Sequence, residues 1–413
     1  MTQAHPHLTP GKERLLLFAL AGVQFSNILD FMLVMPLGPQ LMRHFGISPT
    51  QFGLLVTAYT LTAAAVGFLS ALVIDRFDRR HTLLALFGCF TLTTLVTATA
   101  QSYAWLLVAR SMSGAFAGVL GASVFAIVGD VVPDRRRGAA LGLVMSAFSI
   151  ASIVGVPISL ALAARFGWRS PFVFMTALAL VILVSAWAAV PSVGTHLEAA
   201  RGRNALAQVR AVLAEANHRR AFLFSAMLTF SGFSVIPFVS PYMVANVGVK
   251  ESELAYLYLA GGLVTFGFVR LVGRWSDLYG RRRVFAIVAA LSMVGMLITT
   301  HLPPVPIWVA VLSASFFIPM LSGRFVPAMA ILTAAVTPRL RGGFMSLNAA
   351  FQQAASGAAA FISSLIIGRT AAGELTHYGS VGWIAVAATI AAILLSRRVR
   401  SAPLPPSHRE PPA

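Results

Sequence analysis

Three ionisable side chains lie deep inside long apolar stretches of this sequence: Asp30, Arg110 and Arg324. Asp30 is the only ionisable residue between Leu15 and Gly38. A charge in hydrocarbon costs roughly 2.5 to 3.5 kcal/mol on insertion scales, so such residues usually serve ions, protons or charged ligands. A carboxyl group can bind and release a proton, and an arginine beside it favours its ionised form. These residue types therefore predict a site for proton transfer or substrate binding inside a membrane.

The elements that must position these charges are membrane-spanning helices. The chain has 413 residues, of which 57% are hydrophobic and 11% charged, whereas soluble domains carry about 25% charged residues. Apolar stretches close to the roughly 20 residues that cross a bilayer recur along the chain. We predict an all-α polytopic membrane protein with twelve helices at about 15–38, 51–74, 82–101, 104–130, 138–163, 171–190, 220–244, 254–275, 284–301, 305–336, 342–368 and 379–396.

The net charge is +18, and the distribution of the basic residues along the chain indicates how the protein is oriented in the membrane. With the N-terminus placed inside, 23 of the 31 Lys and Arg residues fall in cytoplasmic segments, five in outer loops and three within helices. This bias follows the positive-inside rule and predicts that both termini are cytoplasmic. It also explains the basic composition without a nucleic-acid partner. The single cysteine, Cys89, excludes an internal disulfide and a Cys-rich metal site, and we expect no metal and no cofactor.

The two halves of the sequence repeat each other at an offset of about 203 residues. "DRFDRRHTLL" (75–84) aligns with "DLYGRRRVFA" (277–286), and "VPDRRRGAALG" (132–142) aligns with "VTPRLRGGFMS" (336–346). Such repeats place substrate sites near the midplane between the halves. The predicted organisation is a cytoplasmic tail (1–14), an N-terminal six-helix bundle (15–190), a cytoplasmic linker with a short helix (191–219), a C-terminal six-helix bundle (220–396) and a disordered cytoplasmic tail (397–413).

A D-x-x-x-R-R pattern occurs in the loops after the second and eighth predicted helices. It resembles the signature of the major facilitator superfamily, which implies two pseudo-symmetric six-helix bundles and a loop that latches one access state. The resemblance implies that the charged and glycine residues of the two loops form this latch, with Asp130 as an acidic partner at the end of the fourth helix. In the alternative, the charges only anchor the loops among the lipid headgroups. The residues are Asp75, Arg79, Arg80, Asp130, Gly273, Asp277, Gly280, Arg281 and Arg282.

Arg110 begins a second pattern, R-x-x-x-G-x-x-x-G, with Gly114 and Gly118. It resembles the fourth-helix motif of proton-coupled drug antiporters. Glycines four residues apart form a flat face for tight helix packing. Asp30 and Arg110 both lie roughly 10 to 12 Å below the outer surface at 1.5 Å rise per residue, so we predict that they pair and couple transport to protons. The alternative is an ion pair with a purely structural role.

The fifth predicted helix carries Gly142, Gly155 and Pro157, but Ala151 and Val156 replace residues of the antiporter motif. The "GVP" followed by "GWRSPF" resembles the sugar, purine and drug efflux members of the drug:proton antiporter-1 (12-helix) family. The resemblance implies a helix-packing role for these glycines and the proline. A proline kink in an ordinary packed helix is the alternative.

Helices 1, 4, 7 and 10 line the cavity in this superfamily, which implies that Asp30, Arg110 and Arg324 all face it. Two arginines against one carboxylate would make the cavity positive and favour neutral or anionic amphiphiles over lipophilic cations. Polar and aromatic residues of nearby helices would complete the substrate site, although each of them also fits ordinary helix packing. They are Gln24, Asn27, Tyr59, Phe233, Asn348 and Gln352.

No nucleophile elbow, zinc-protease motif or Walker loop is found in the sequence, so we expect no enzyme and a gradient as the energy source. These features predict a monomeric secondary active transporter of small molecules in a bacterial inner membrane. Proton-coupled efflux by alternating access is the first hypothesis. A substrate:proton symporter for uptake is the second, and a transporter-like sensor or membrane enzyme is the third.

Overall fold

The computed structural model describes residues 10–70, 72–74, 77–191, 205–337 and 340–402. The N-terminal half is a bundle of long helices that ends at residue 191. Its elements are α1 (Pro10–Leu33), α2 (Gly38–Phe45), α3 (Pro49–Ser70), α4 (Arg79–Ala98), α5 (Tyr103–Val131), α6 (Asp134–Ile150), a π-helical turn (Ala151–Gly155), α7 (Val156–Phe166) and α8 (Ser170–Ala189).

The C-terminal half repeats this arrangement after a short linker helix, α9 (Ala205–Ala214). Its elements are α10 (Ala216–Tyr242), a π-helical turn (Met243–Val247), a 3₁₀ turn (Glu251–Glu253), α11 (Leu254–Tyr279), α12 (Arg281–Thr300), α13 (Ile307–Gly323), α14 (Phe325–Ala334), α15 (Arg341–Ile366), the antiparallel strands β1 (Gly368–Arg369) and β2 (Leu375–Thr376), and α16 (Tyr378–Arg398).

Eleven helical segments of the described residues are long and apolar enough to cross a membrane, one fewer than predicted. The segment outside this group is α15, which has 26 residues but is less apolar. Its polar and small residues contact α3 of the other half: the Thr57 hydroxyl donates to the Gly357 carbonyl oxygen at 3.1 Å. The Thr50 hydroxyl likewise donates to the Ser364 carbonyl oxygen at 2.9 Å. The polarity of α15 therefore reflects its place between the halves.

The two halves meet at the end of the molecule that carries α2, which we call the α2 end. There the rings of Phe52 and Phe238 pack edge to face at 5.8 Å, and Arg43 pairs with Glu251. Every hydrogen bond and ion pair that joins the halves within the described ranges lies between this end and the middle of α15. The halves are thus closed against each other at the α2 end.

The opposite end, which we call the linker end, carries both described chain ends and α9. Arg136 donates to Glu13 near the start of α1 at 2.9 Å. Asn217 exchanges two hydrogen bonds of 2.8 Å with the backbone of Arg400. Val212 of α9 is fully buried against the C-terminal half. The chain ends and the linker helix therefore share one end of the bundle.

The predicted domain limits differ from the observed helices in three places. The first helix begins at Pro10 rather than at residue 15, α10 begins at Ala216 rather than at residue 220, and the last helix ends at Arg398 rather than at residue 396. Disorder from residue 397 onward is wrong for 397–402, because hydrogen bonds fix Arg400 and also Ala402, whose amide donates to Ala334 at 2.8 Å. Residues 1–9, 192–204 and 403–413 of the predicted tails and linker lie outside the described residues.

Glycines hold α5 close to α3. A Cβ atom at Gly114 would overlap the Tyr59 carbonyl oxygen, and one at Gly118 would overlap the backbone of Ala63. The two glycines, four residues apart on α5, therefore provide the flat packing face that their spacing suggests.

We expect Gly114→Ala to lower the free energy of unfolding by about 1 to 3 kcal/mol, the usual cost of overpacking, because the new methyl group meets backbone that cannot rotate away. Gly142→Ala is the matched control, since no atom lies within 4 Å of a Cβ there. Thermal unfolding of both variants in detergent measures the difference. Equal midpoints would show that α3 and α5 can separate at little cost.

Candidate functional site

Asp30 and Arg110 form an ion pair in the interior of the N-terminal half. Arg110 Nη1 donates to Asp30 Oδ2 at 2.8 Å, and Nη2 donates to the Asp30 carbonyl oxygen at 3.3 Å. The side chains are 0% and 2% exposed, respectively. The sequence placed both residues at equal depth on α1 and α5, and the structure brings them into direct contact.

The pair has spare capacity for hydrogen bonding. Asp30 Oδ1 and Arg110 Nε are buried and have no hydrogen-bond partner among the described residues. A carboxylate that uses only one oxygen in its ion pair can accept a proton on the other. Protonation of Asp30 would remove the negative charge that holds Arg110, so the strength of this ion pair would depend on one proton.

An aromatic series extends from the pair to the other half. The guanidinium carbon of Arg110 lies 4.4 Å from the ring centroid of Tyr59. Tyr59 stacks on Phe31 at 5.4 Å, and Phe31 contacts Phe233 of α10 at 5.6 Å. Sequence reasoning selected Tyr59 and Phe233 but missed Phe31, because a phenylalanine in an apolar helix carries no pattern that separates it from core residues.

The predicted amide residues fall into two groups. Gln24 and Asn27 lie on α1 beside Gly121 of α5, and Asn27 donates to the Ala117 carbonyl oxygen at 3.3 Å. In the C-terminal half, Gln352 donates to the Ser225 hydroxyl at 2.8 Å.

Unused hydrogen-bonding capacity remains in both groups. Asn348 is buried, and its Oδ1 has no partner in the described part of the chain, as is also true of Gln24 Oε1. These amides can bind polar solutes or water.

The expectation that Arg324 faces the space between the halves does not hold in this structure. Arg324 is fully buried inside the C-terminal half, where Nη2 donates to the Leu228 carbonyl oxygen at 3.1 Å. Its Nη1 donates at 3.2 Å to hydroxyl groups on three helices, those of Ser231, Ser292 and Thr389. The prediction for Arg324 rested on its position along the helix, which does not determine the direction in which the side chain points. Without Arg324, the two charges of the ionised Asp30–Arg110 pair sum to zero. The structure therefore gives no support for a positively charged cavity.

The first copy of the proposed latch is partly described. Arg79 Nε donates to Asp130 Oδ2 at 3.1 Å, and Arg80 donates to the Trp187 carbonyl oxygen at 2.8 Å. The structure thus brings Arg79 and Asp130 together at the linker end. Asp75 lies outside the described residues.

The second copy makes its contacts within the C-terminal half. Arg281 donates to the Ala330 carbonyl oxygen at 2.8 Å, and Arg282 donates to that of Val399. Gly280 adopts φ +87° between α11 and α12, a conformation that favours glycine. Asp277 is exposed and has no hydrogen bond or ion pair with another described residue.

Gly273 of this second copy has open space around it, because no atom lies within 4 Å of a Cβ there. Gly273 is therefore a half-buried position of α11 with room beside it, and Asp277 is an exposed one.

The fifth predicted helix is irregular, as the alternative of a proline kink would have it. The turn Ala151–Gly155 is π-helical, and Pro157 follows it in the first turn of α7. Proline has no amide proton for the helix ladder, which accounts for a local change of pitch. A Cβ at Gly155 would lie 2.9 Å from Leu29 of α1, so this glycine allows close packing, whereas Gly142 has open space around it.

An ion pair that the sequence did not reveal closes the α2 end. Arg43 of α2 binds Glu251 in a bidentate manner, with Nη2 at 3.0 Å from Oε2. The hydrogen bond to Glu251 raises the pKa of the Arg43 guanidinium. The guanidinium is therefore fully charged at every pH below the ordinary pKa of an arginine and loses its charge only above that pKa. A change of pH within the physiological range should not weaken the pair, whereas added salt should. The two residues are 208 positions apart, one in α2 and the other in the 3₁₀ turn Glu251–Glu253, and no motif connects them.

We expect Glu251→Arg to favour opening of the α2 end, because it places two cations in contact, and Arg43→Glu/Glu251→Arg to restore closure. Spin labels at Gln101→Cys and Ala372→Cys measure this, since both positions are exposed loops at the α2 end on opposite halves. Cys89→Ser provides a background in which the natural thiol, which is exposed, cannot react. An unchanged distance distribution in the single variant would mean that the apolar contacts alone hold this end closed.

No group of His, Cys, Asp and Glu side chains that could hold a metal ion occurs among the described residues.

Comparison with known proteins places these features in a family context. The model of the Major Facilitator Superfamily matches residues 20–231 and, a second time, residues 221–413. The MFS-type transporter YbcL of Bacillus subtilis is 23% identical over 369 residues, which cover 86% of this chain and 89% of the relative. A probable sugar efflux transporter of Helicobacter pylori is 27% identical over 269 residues, or 65% of each chain.

Two solved structures share the fold. A bacterial homologue of the human lysosomal transporter Spinster, inward-facing and unoccupied, superposes with a TM-score of 0.72 at 17% identity and covers 96% of this chain and 100% of its own. A D-xylose-proton symporter superposes with a TM-score of 0.75 at 17% identity and covers 93% of this chain and 96% of its own.

Proposed function

Because this chain belongs to the Major Facilitator Superfamily, a family of multi-pass membrane transporters for small molecules and not of enzymes, we propose that it is a proton-coupled secondary transporter that exports its substrate. The buried Asp30–Arg110 pair carries this proposal. A second carboxylate oxygen without a partner gives the coupling proton a place to bind.

The proposed mechanism lets proton and substrate compete through this pair. An ionised Asp30 holds Arg110 and keeps α1 tied to α5 at this depth. Protonation neutralises Asp30 and frees the guanidinium, which changes the relative stability of the two access states. Substrate binding that favours the ionised pair then releases the proton, and a proton on Asp30 weakens substrate binding. This exchange is the elementary step of antiport.

The halves are closed at the α2 end, and the proposed orientation makes this end the outer one. The basic loops, α9 and both described chain ends gather at the linker end, which the positive-inside rule puts in the cytoplasm. The present conformation is then inward-facing. The proposed latch residues at the linker end, among them Arg79 and Asp130, would stabilise the opposite state.

The substrate that fits best is a neutral polar molecule. With Arg324 inside the C-terminal half, the charges at the site are Asp30 and Arg110, which cancel when both are ionised. Side-chain amides at Gln24, Asn27 and Asn348 offer donors and acceptors without net charge. The sugar efflux relative of Helicobacter pylori agrees with this chemistry. We place the transporter, as a monomer, in a bacterial inner membrane.

A pH-gradient experiment in proteoliposomes tests the proposal. Vesicles with an acidic interior drive an antiporter to accumulate substrate, since protons leave as substrate enters. Vesicles with an acidic exterior drive a symporter to do so. The sign of the effective gradient distinguishes the two and does not depend on how the protein is oriented. Radiolabelled pentoses, hexoses and disaccharides are the first probes.

Accumulation only with an acidic interior, and its collapse with a protonophore, would support proton-coupled export. Accumulation only with an acidic exterior would replace it by uptake through symport, the mode named for the D-xylose-proton symporter that shares the fold. Substrate-induced stabilisation without flux under either gradient would indicate a sensor and contradict transport.

A further inference from the structure

We propose that Tyr59, Phe31 and Phe233 transmit the state of the Asp30–Arg110 pair to the C-terminal half, and that Tyr59 is a positioning residue for proton coupling rather than a substrate contact. This inference rests on the proposed function above. It concerns how a proton bound within one half alters the contact between the halves.

The first step is the contact between Arg110 and Tyr59. The guanidinium lies over the face of the Tyr59 ring, with 4.4 Å between its carbon and the ring centroid. Tyr59 is 1% exposed, and its hydroxyl has no hydrogen-bond partner in the described ranges. Ring stacking rather than hydrogen bonding therefore fixes Tyr59. Such a cation–π contact strengthens as the cation is desolvated, and Arg110 is buried here.

The second step carries the contact to Phe31 and then across the halves. Tyr59 stacks on Phe31 with 27° between the ring planes, and Phe31 meets Phe233 of α10. Phe31 follows Asp30 directly on α1, so a rotation of this turn moves both side chains together. Phe31 and Phe233 also pack in a small apolar cluster to which Met35 contributes from the N-terminal half.

The third step is the dependence of these contacts on the access state. The Phe31–Phe233 contact joins α1 to α10, which belong to different halves, so opening of the α2 end must separate these two rings. A freed Arg110 no longer shares its charge with Asp30 and is available to the Tyr59 ring alone. The stack of Tyr59, Phe31 and Phe233 then has two arrangements, one for each protonation state of Asp30. The contact between the two halves changes with the arrangement of the stack.

Spin labels at Gln101→Cys and Ala372→Cys in the Cys89→Ser background test the inference through the pH dependence of the distance across the α2 end. We expect the unsubstituted site to show a shift between pH 8 and pH 5. Tyr59→Leu, Phe31→Leu and Phe233→Leu should each lose most of that shift. Tyr59→Phe should keep it, because the hydroxyl has no partner. The infrared carbonyl band of a protonated carboxyl, identified by its loss in Asp30→Asn, should persist in all four variants.

The outcomes separate this inference from the proposed function. Full pH shifts in the three leucine variants would overturn the aromatic path, and loss of the carbonyl band in them would make Tyr59 part of the proton site itself. If Asp30→Asn keeps the shift, the proton acts elsewhere and the proposed function fails first. If the protein with its native site shows no shift, both ideas fail. Where Tyr59→Leu does not fold, Phe233→Leu decides, since it lies in the other half.

Discussion

Asp30→Asn is expected to abolish accumulation driven by a pH gradient while leaving the folded protein and its substrate binding intact. Asparagine keeps the size of the side chain and can still accept from Arg110, so packing between α1 and α5 survives. It cannot bind a proton at neutral pH. We therefore expect at least a 20-fold loss of gradient-driven uptake in proteoliposomes, with exchange of labelled for unlabelled substrate at equal pH largely retained.

Two further variants show whether the effect belongs to the carboxyl group. Glu374→Gln is the matched control, because it neutralises an exposed carboxylate in a loop at the α2 end and should transport normally. Asp30→Glu restores a titratable group on a longer chain and should recover part of the coupling. Full gradient-driven uptake by Asp30→Asn would reduce Asp30 to a structural partner of Arg110 and place the coupling site elsewhere.

A proton dye gives an independent measurement of the same step. Purified protein that binds substrate and releases a proton should lower the pH of a weakly buffered solution, and Asp30→Asn should not. The dye experiment needs no membrane, so it separates loss of coupling from loss of movement. Proton release that persists in Asp30→Asn would contradict competition through this pair.

The sequence allowed a correct prediction of the contact between Asp30 and Arg110 but not of the direction in which Arg324 points. Asp30 and Arg110 each lie in a long apolar helix, and counting residues from the helix ends gave equal depth. Depth follows from the rise per residue alone. The direction of a side chain around the helix axis depends on how the helix packs, which is why the prediction for Arg324, at the junction of α13 and α14, pointed it the wrong way.

The ion pair that joins the two halves at the α2 end was also beyond sequence reasoning. Arg43 and Glu251 meet only because the two bundles close at the α2 end, and nothing local to either residue signals it. The fold itself was predictable, because the length of each apolar stretch is a local pattern and the repeat of the two halves can be read by aligning the sequence with itself. The lower hydropathy of α15 was visible in the sequence, yet its cause, the contact with α3, required the packed structure.

Arg324→Ala is expected to destabilise the C-terminal half rather than to impair the site between the halves, the reverse of what a cavity-facing arginine predicts. The guanidinium links α10, α12 and α16 through Ser231, Ser292 and Thr389. Gly232 of α10 leaves room for it, since a Cβ there would lie 3.2 Å from Nη2.

Truncation removes four hydrogen bonds and leaves a cavity, although it also removes a buried charge. We expect a net loss of about 2 to 4 kcal/mol in the free energy of unfolding.

Comparison of Arg324→Ala with Arg324→Met and Arg270→Ala separates stability from transport. Methionine fills much of the space without a charge, so Arg324→Met should lose less stability than Arg324→Ala. Arg270 is exposed, and among the described residues it donates only to the Phe266 carbonyl oxygen of its own helix, at 3.3 Å, so its truncation should change stability by less than about 0.5 kcal/mol. Thermal unfolding in detergent ranks the stabilities of the three variants.

Transport per folded molecule should stay near normal in all three variants, because none of the substituted residues touches the Asp30–Arg110 pair. A stable Arg324→Ala protein that has lost transport would return Arg324 to the substrate site and imply that its side chain turns toward the space between the halves in another access state.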